Sequence, residues 1–138
     1  MAALVPGEER VLHEVLEDAF RDHWGHSPRS FEEWMRARVL EHDLCFLVRS
    51  AREVAAGAEC KREFFGMGWV DVLGTRREYR RKGLGDALLR HVFGELYRRG
   101  ARRVGLGVDA ENPTGATRLY ERAGMRVASQ SEVYAKTL

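Results

Sequence analysis

A short segment that is both basic and glycine-containing is the clearest candidate for chemistry in this chain. It reads Arg80-Arg81-Lys82-Gly83-Leu84-Gly85 and lies between a strand pattern and a helix pattern. Glycines let the backbone approach a ligand closely, and the free N–H groups at the start of a helix favour an anion. The flanking Arg and Lys side chains add charge for phosphate groups. A tight strand-to-helix turn with a solvated basic surface explains the same residues, so local chemistry leaves both interpretations open.

Spacing excludes two nucleotide-binding motifs. The segment is not a P-loop because no Gly-Lys-Ser/Thr follows, and Leu88 stands where a dinucleotide fingerprint needs its third small residue. A second segment, Gly105-Leu106-Gly107-Val108-Asp109-Ala110, does match G-x-G-x-x-A. Its helix would begin only at Asn112-Pro113, whereas a dinucleotide turn begins its helix within the glycines. We therefore interpret Gly105 and Gly107 as strand glycines that mark a bulge or a close backbone approach.

Apolar periodicity predicts the elements that would hold the basic segment. Helices are expected over residues 8–22, 30–42, 84–99 and 112–124, the second of them started by a capping box of Ser30 and Glu33. Strands are expected over residues 44–49, 54–60, 68–75, 103–108, 125–128 and 132–136, the first two forming a hairpin. Only the segment from 69–75 to 103–108 demands a parallel pair. The prediction is one α+β domain, residues 1–138, around a mixed sheet.

Composition and charge restrict the function classes. The chain has 138 residues, of which 44% are hydrophobic and 32% charged, so it can bury the core of one domain. Its net charge of +2 gives no global attraction to nucleic acid. Arginines cluster around Arg80 and again around Arg99, but the second cluster shows no interleaved aromatic residues, so no nucleic-acid partner is expected.

The cysteines and the apolar segments predict a protein without a metal site or a membrane span. Cys45 and Cys60 lack the spacing of a disulfide framework or of metal ligands and are interpreted as packing residues. No apolar run approaches the roughly 18 residues of a membrane-spanning helix. Because a signal-peptide pattern is also missing, a cytoplasmic location is expected.

Several segments together resemble the GCN5-related N-acetyltransferase (GNAT) superfamily. Arg80-x-x-Gly83-x-Gly85 is similar to its Q/R-x-x-G-x-G/A pyrophosphate motif, and Asp71-Val72-Leu73-Gly74-Thr75 lies where its fourth strand is expected. Residues 108–112 and 119–125 resemble its V-x-x-x-N and L-Y-E-x-x-G-F segments. The match is specific over residues 69–126, whereas the first half agrees only in the order and length of elements. The second half also resembles the cofactor-binding half of tandem acetyltransferases of the mycothiol synthase type.

The resemblance implies a fold and a cofactor site. It implies a mixed, mostly antiparallel sheet with about four flanking helices, in which the fourth and fifth strands splay apart around acetyl-CoA as co-substrate. The pantetheine arm would bind the backbone of Leu73, Gly74 and Thr75, and an N–H near Leu73 would stabilise the thioester oxyanion. The other residues assigned to the cofactor are Arg80, Arg81, Lys82, Gly83, Leu84, Gly85 and Asp86, around the pyrophosphate, and Asn112, which would hold the pantetheine or the splayed strand.

The resemblance also implies direct attack of a substrate amine on the thioester. Tyr120 would protonate the departing thiolate as general acid, with core packing as the alternative role. Asp71 is the best candidate base because it lies two residues before Leu73, hence on the same face of a regular strand. A strand-edge carboxylate in an ion pair explains Asp71 equally well. Asp109 is a second candidate, for which capping of a loop is the favoured explanation.

The first two helices would cover the acceptor, expected to be a small-molecule or peptide amine. Candidate acceptor contacts are His23, Trp24, His26, Glu32, Glu33 and Trp34, although exposed loops, capping and helix packing explain these residues as well. A non-catalytic acyl-CoA-binding or partner-binding domain of the same fold is the alternative function.

Two features depart from the family pattern. Only residues 2–5 precede Pro6-Gly7, so the first strand is either very short or absent. An exposed sheet edge would suit pairing in a homodimer, and a lost strand would suit one half of a tandem protein. Asp86 places a negative side chain beside the pyrophosphate, unless it points away along the helix.

Overall fold

The order of elements along the chain agrees with the prediction. The structure, a computed structural model, describes residues 2–21, 29–36, 40–51, 53–64, 66–107, 116–129 and 133–138. The helices are α1 (Glu9–Phe20), α2 (Phe31–Arg36), α3 (Leu84–Arg98) and α4 (Ala116–Arg122), and 3-10 turns lie at His42–Leu44 and Arg77–Tyr79. The strands are β1 (Ala2–Ala3), β2 (Cys45–Arg49), β3 (Val54–Phe64), β4 (Met67–Thr75), β5 (Arg103–Gly107), β6 (Arg126–Ser129) and β7 (Val133–Thr137).

The two long helices form because their apolar residues recur at helical spacing and meet the sheet. The buried apolar residues are Leu12, Val15, Leu16 and Ala19 in α1, and Leu88, Leu89, Val92, Phe93 and Leu96 in α3. Gly100 follows α3 in the left-handed conformation, with φ of 97°, and ends the helix as predicted.

The sheet has the strand order β1-β2-β3-β4-β5-β7-β6. β4 and β5 are parallel and are joined through α3, whereas every other pair of neighbours is antiparallel. This arrangement confirms the predicted α+β fold with a mixed, mostly antiparallel sheet and one parallel pair at its centre.

Helices lie on both faces of the sheet. α3 packs on one face in a cluster that includes Val70 of β4, and Leu119 and Tyr120 of α4 pack against the same cluster. α1 and α2 pack on the opposite face, where Trp34 lies in a cluster with Leu47 of β2. β4 therefore lies between the two layers, with α3 on one side and α1 on the other.

Some predicted boundaries need correction. β1 is present with two residues that pair with β2, so the first strand is very short rather than absent. The helical residues of α2 run to Arg36, and His42 begins a 3-10 turn instead of ending that helix. β3 continues to Phe64 because its outer residues still pair with β4. The predicted start of the last helix at Asn112 lies outside the described residues.

Candidate active site

The parallel pair at the centre of the sheet is described over three residues of each strand, Gly68 to Val70 and Val104 to Leu106. The pairing of β4 with β5 ends at Val70 and Leu106, and β5 itself ends at Gly107. β4 continues to Thr75, so the backbone of residues 73–75 has a described strand neighbour only on its β3 side. The predicted splay of the two strands around the pantetheine arm stays a prediction, because residues 108–115, which follow β5, lie outside the described parts of the chain.

The predicted pyrophosphate turn leads from β4 into α3. After the 3-10 turn at Arg77–Tyr79, Arg81 and Gly83 adopt left-handed backbone conformations, with φ of 64° and 79°. Glycine tolerates this conformation, whereas arginine adopts it rarely. A helical hydrogen bond runs from Ala87 N to Gly83 O at 3.0 Å, so the N–H groups of residues 84–86 precede the helical ladder. Such groups form an anion-binding end of a helix.

The basic side chains of the turn have different surroundings. Arg80 donates from Nε to the carbonyl oxygen of Thr75 at 3.3 Å, and from Nη2 to the carbonyl oxygen of Ala19 in α1. Arg81 and Lys82 are exposed. Arg81 and Lys82 can therefore meet phosphate groups, whereas the contacts described for Arg80 are with backbone carbonyls.

The last two residues of the predicted turn have contacts within the protein. A Cβ atom at Gly85 would lie 3.2 Å from Leu119 Cδ2 and 3.8 Å from Thr75 Oγ1, so glycine here lets α4 approach the start of α3. Asp86 accepts a hydrogen bond from Arg90 Nε at 2.9 Å, one helical turn further along α3. Its charge is thus directed along the helix, as the sequence allowed.

Tyr120 lies in α4, on the same side of the sheet as α3. Its ring is 5.8 Å from the ring of Tyr134 in β7, and it packs against the core cluster under α3. Burial raises the pKa of the Tyr120 phenol above its ordinary value of 10.0. The side chain therefore carries its proton at neutral pH, which is the form that a general acid needs.

A β-bulge in β4 lies next to the predicted pantetheine contact. Glu59 of β3 is opposite Val72, whereas the next residue, Cys60, is opposite Val70. Asp71 is consequently an extra residue on β4, without a counterpart on β3. The alternation of side chains along β4 changes phase at this point.

The bulge corrects the predicted orientation of Asp71. Val70 and Leu73 both pack in the cluster under α3, although an odd number of positions separates them. The Asp71 carboxylate lies 3.7 Å from Nζ of Lys61, which is opposite Trp69 and hence on the other face of the sheet. The prediction that Asp71 shares a face with Leu73 is wrong because it assumed a regular strand. The ion pair that the sequence left open as an alternative is present.

The acceptor-side candidates on α2 have structural contacts. Ser30 Oγ accepts a hydrogen bond from the Glu33 N–H at 3.2 Å and donates to the Glu33 carboxylate at 3.1 Å, so Ser30 caps the helix as predicted. Trp34 is buried, with its ring 5.3 Å from the imidazole of His13 in α1. Glu32 is exposed. The predicted site residues Asn112, Asp109, His23, Trp24 and His26 lie outside the described parts of the chain.

Sequence reasoning missed a buried carboxylate next to the bulge. Glu59 is only 1% exposed and lies on β3 between Cys45 of β2 and Val72 of β4. One charged residue within the apolar run of β3 was the available signal, since Glu is rarely buried. Burial, followed by the charge of Glu59, raises the pKa of the Cys45 thiol to about 12, and burial also raises that of Cys60. Both cysteines stay protonated, as packing residues do.

The second arginine cluster is engaged by protein groups. Arg99 contacts the Glu95 carboxylate at 2.6 Å and the Asp43 carboxylate at 3.4 Å, which offsets its charge. The Arg102 guanidinium lies 4.9 Å from the centre of the half-exposed Tyr97 ring. No aromatic residue interleaves the cluster in the sequence, but Tyr97, which directly precedes it at the end of α3, is brought beside Arg102.

Among the described residues, no three His, Cys, Asp or Glu side chains are grouped so that they could hold a metal ion. None of the helices that the structure describes is long and apolar enough to cross a bilayer.

Comparison with known proteins identifies the family. A family model described as "Acetyltransferase (GNAT) family" matches residues 10–125. The chain belongs to this family. A mycothiol acetyltransferase from Corynebacterium diphtheriae is 34% identical to this GNAT chain over 107 residues, which are 74% of this chain and 34% of the relative. The chain thus spans about a third of that relative's length.

Solved structures agree with the family assignment. A GCN5-related N-acetyltransferase from Sphaerobacter thermophilus has a TM-score of 0.76 and 38% identity, covering 98% of this chain and 43% of that chain. A GNAT family acetyltransferase from Brucella melitensis, in complex with acetyl-CoA, has a TM-score of 0.74 over 99% of this chain and 85% of that chain. At 17% identity the second similarity shows the fold alone.

Proposed function

We propose that this GNAT chain transfers the acetyl group of acetyl-CoA to a primary amine by direct attack. The observation that carries the proposal is the extent of β4: its described pairing with β5 ends at Val70, whereas β4 itself continues to Thr75. The start of α3, which suits an anion, lies just beyond the end of the same strand. A thioester arm beside this part of β4 and a pyrophosphate at the helix use both features at once.

The cofactor would be held mainly by backbone groups. The backbone of Leu73, Gly74 and Thr75 would bind the pantetheine, and the N–H groups of residues 81–86 would bind the pyrophosphate, with charge from Lys82 and Arg81. An N–H near Leu73 would stabilise the oxyanion of the tetrahedral intermediate. The complex of a fold relative with acetyl-CoA supports this choice of co-substrate.

Tyr120 would act as the general acid. The amine nitrogen attacks the thioester carbonyl carbon, the carbon–sulfur bond breaks, and the sulfur takes the proton of the Tyr120 phenol. A phenol whose pKa is raised by burial releases its proton only to a strong base such as a departing thiolate. The proton lost by the amine would pass to water, because the Asp71 carboxylate lies on the other face of β4 from Leu73, 3.7 Å from Nζ of Lys61.

The acceptor belongs to the class of small-molecule or peptide amines. No covalent acyl-enzyme is needed, and the raised thiol pKa values of Cys45 and Cys60 agree with a mechanism that does not use them. The amines to be tested should include the acceptor of the mycothiol acetyltransferases, because this chain is similar to those relatives.

Calorimetric titration with acetyl-CoA, followed by thiol release with a panel of amines, tests the proposal. Acetyl-CoA is expected to bind, and at least one amine to release CoA thiol. Absence of binding at millimolar acetyl-CoA would refute the cofactor assignment. Binding without turnover of any amine would favour the alternative, a non-catalytic acyl-CoA-binding domain.

Tyr120→Phe and its control Tyr134→Phe test the acid. Both variants remove one hydroxyl from the same pair of packed rings. We expect Tyr120→Phe to lower kcat by about 10²- to 10⁴-fold, the usual contribution of general acid–base catalysis. The kcat of Tyr134→Phe should stay close to that of the unchanged protein. Equal kcat values for the two variants would show that Tyr120 is a packing residue.

A further inference from the structure

Arg80 connects the predicted cofactor turn to the helix on the opposite face of the sheet. It follows the 3-10 turn at Arg77–Tyr79, and its side chain is partly buried rather than extended into solvent. One nitrogen donates to the carbonyl of Thr75, the last residue of β4, at 3.3 Å. Another donates to the carbonyl of Ala19, 61 positions earlier in the chain. One guanidinium therefore contacts the ends of both β4 and α1.

The contact with Ala19 is the kind that stabilises a helix end. Ala19 lies in the last turn of α1, and the last four carbonyl groups of a helix accept no hydrogen bond from N–H groups of the same helix. A cation at the carboxyl end also interacts favourably with the helix dipole. Arg80 thus adds a cation from a distant part of the chain to a helix end whose last turn has no basic side chain and whose C-cap residue, Arg21, donates its N–H to Asp18.

The same end of α1 lies tightly against β4. A Cβ atom at Gly74 would be only 2.7 Å from the Cβ of Ala19 and 3.1 Å from Cε2 of Phe20. Gly74 belongs to the backbone segment proposed to bind pantetheine, and the sequence that follows α1 carries the acceptor candidates His23, Trp24 and His26. Arg80 and the contact at Gly74 together fix the position of this helix end relative to the thioester.

We propose that Arg80 is a positioning residue, which holds the end of α1, the end of β4 and the cofactor turn in one arrangement, rather than a phosphate ligand. The proposal rests on the acetyltransferase function proposed above. The phosphate groups then depend on the backbone N–H groups and on the exposed side chains of Arg81 and Lys82. Loss of Arg80 impairs transfer from any acetyl thioester and raises the KM of the amine, because the acceptor side of the site shifts.

Two acetyl donors separate this role from phosphate binding. S-acetyl-pantetheine has the thioester and the pantetheine arm of acetyl-CoA but no pyrophosphate. Arg80→Ala is expected to lower kcat/KM by about tenfold or more with both donors, the loss typical of a charged hydrogen-bond donor. The matched control Lys82→Ala is expected to lower kcat/KM with acetyl-CoA but not with S-acetyl-pantetheine. This decrease should be smaller at high salt, because salt screens an exposed charge. A loss with acetyl-CoA alone in Arg80→Ala would overturn the proposal.

A charge-conserving variant tests the geometry. Arg80→Lys keeps the positive charge, but an ammonium lacks the planar fork that donates to two carbonyls at once. We expect Arg80→Lys to lose most of the activity that Arg80→Ala loses, with the same increase in the KM of the amine. Recovery of nearly full activity in Arg80→Lys would instead indicate a charge acting on phosphate.

Hydrogen exchange gives a readout that does not need turnover. In the protein without substrates, amides in the last turn of α1 should exchange about tenfold faster in Arg80→Ala than in Lys82→Ala, because only the first variant removes the contact with Ala19. Equal exchange in the two variants would overturn the positioning role. If the unchanged protein turns over neither thioester, the proposed function fails, and the exchange rates still decide whether Arg80 holds α1.

Discussion

Gly74→Ala tests whether the close contact between α1 and β4 is needed for the fold and the site. The added Cβ would lie 2.7 Å from the Cβ of Ala19 and 3.1 Å from Cε2 of Phe20. Carbon atoms pack best at about 3.5–4.0 Å, so the end of α1 has to withdraw by about 1 Å. Overpacking of this kind costs about 1–3 kcal/mol of unfolding free energy, and the displaced helix end should also weaken acetyl-CoA binding.

A second substitution provides the compensating change. Ala19→Gly removes the atom at 2.7 Å and by itself costs about 0.5–1 kcal/mol, because glycine is unfavourable within a helix. With Gly74→Ala also present, the two effects should offset each other by about 1 kcal/mol, since residues in contact are not additive. Gly94→Ala is the control, because its Cβ would meet no atom within 4 Å and should stabilise α3 by about 0.4–1 kcal/mol.

Urea unfolding of the unchanged protein and the four variants measures these differences. Gly74→Ala should lower the midpoint without changing the slope, Gly94→Ala should raise it, and the double variant should be more stable than the sum of its single changes. A Gly74→Ala protein as stable as the unchanged one, or strict additivity in the double variant, would refute the inferred contact.

Three further predictions concern other parts of the chain. Gly105→Ala should cost about 1–3 kcal/mol in urea unfolding, because its Cβ would lie 2.9 Å from Trp69 Cζ3; an unchanged midpoint would contradict this. The pKa of Glu9 lies below its ordinary value of 4.5, mainly because of a hydrogen bond with His42 at 2.9 Å. The contact therefore stabilises the fold above about pH 4.5, and this stabilisation is lost as the pH falls below that value. Glu9→Gln should lose less stability in acid than the unchanged protein does, and equal losses would contradict the prediction. Because burial raises the pKa of Tyr120, kcat/KM should fall only above pH 10 on the alkaline side. This fall should disappear in Tyr120→Phe. A fall below pH 10 that persists in the variant would belong to another group.

The turn and the helix proposed to bind the cofactor were predictable as structural elements because their signals are local. Gly83 marks a left-handed turn, Gly100 marks a helix end, and apolar spacing marks the helix between them, so each prediction depends on neighbouring residues alone. The splay of the two strands was implied by the family resemblance and stays a prediction beyond the described pairing, which ends at Val70.

The failures of sequence reasoning all depend on contacts between distant segments. The orientation of Asp71 is determined by a bulge against β3, which no pattern within β4 reveals. The positioning role proposed for Arg80 also depends on distant segments, since its described contacts are with carbonyls of β4 and of a helix 61 positions away. Glu59 is buried because three strands meet around it, not because of its neighbours in sequence.

The packing of β4 against β5 explains why residues 105 and 107, the glycines of the rejected dinucleotide motif, are glycines. Cβ atoms at Gly105 and Gly107 would lie 2.9 Å and 3.8 Å from the indole of Trp69, so the ring lies across both glycines. The two glycines therefore make room for a side chain of the neighbouring strand, where a dinucleotide turn would use them to approach a phosphate. Because the indole is seated on β5 where the strands still pair, it stabilises the closed end of the parallel pair. The same β4 strand that packs against β5 at Trp69 carries, at its other end, residues 73–75, which are proposed to bind the pantetheine arm.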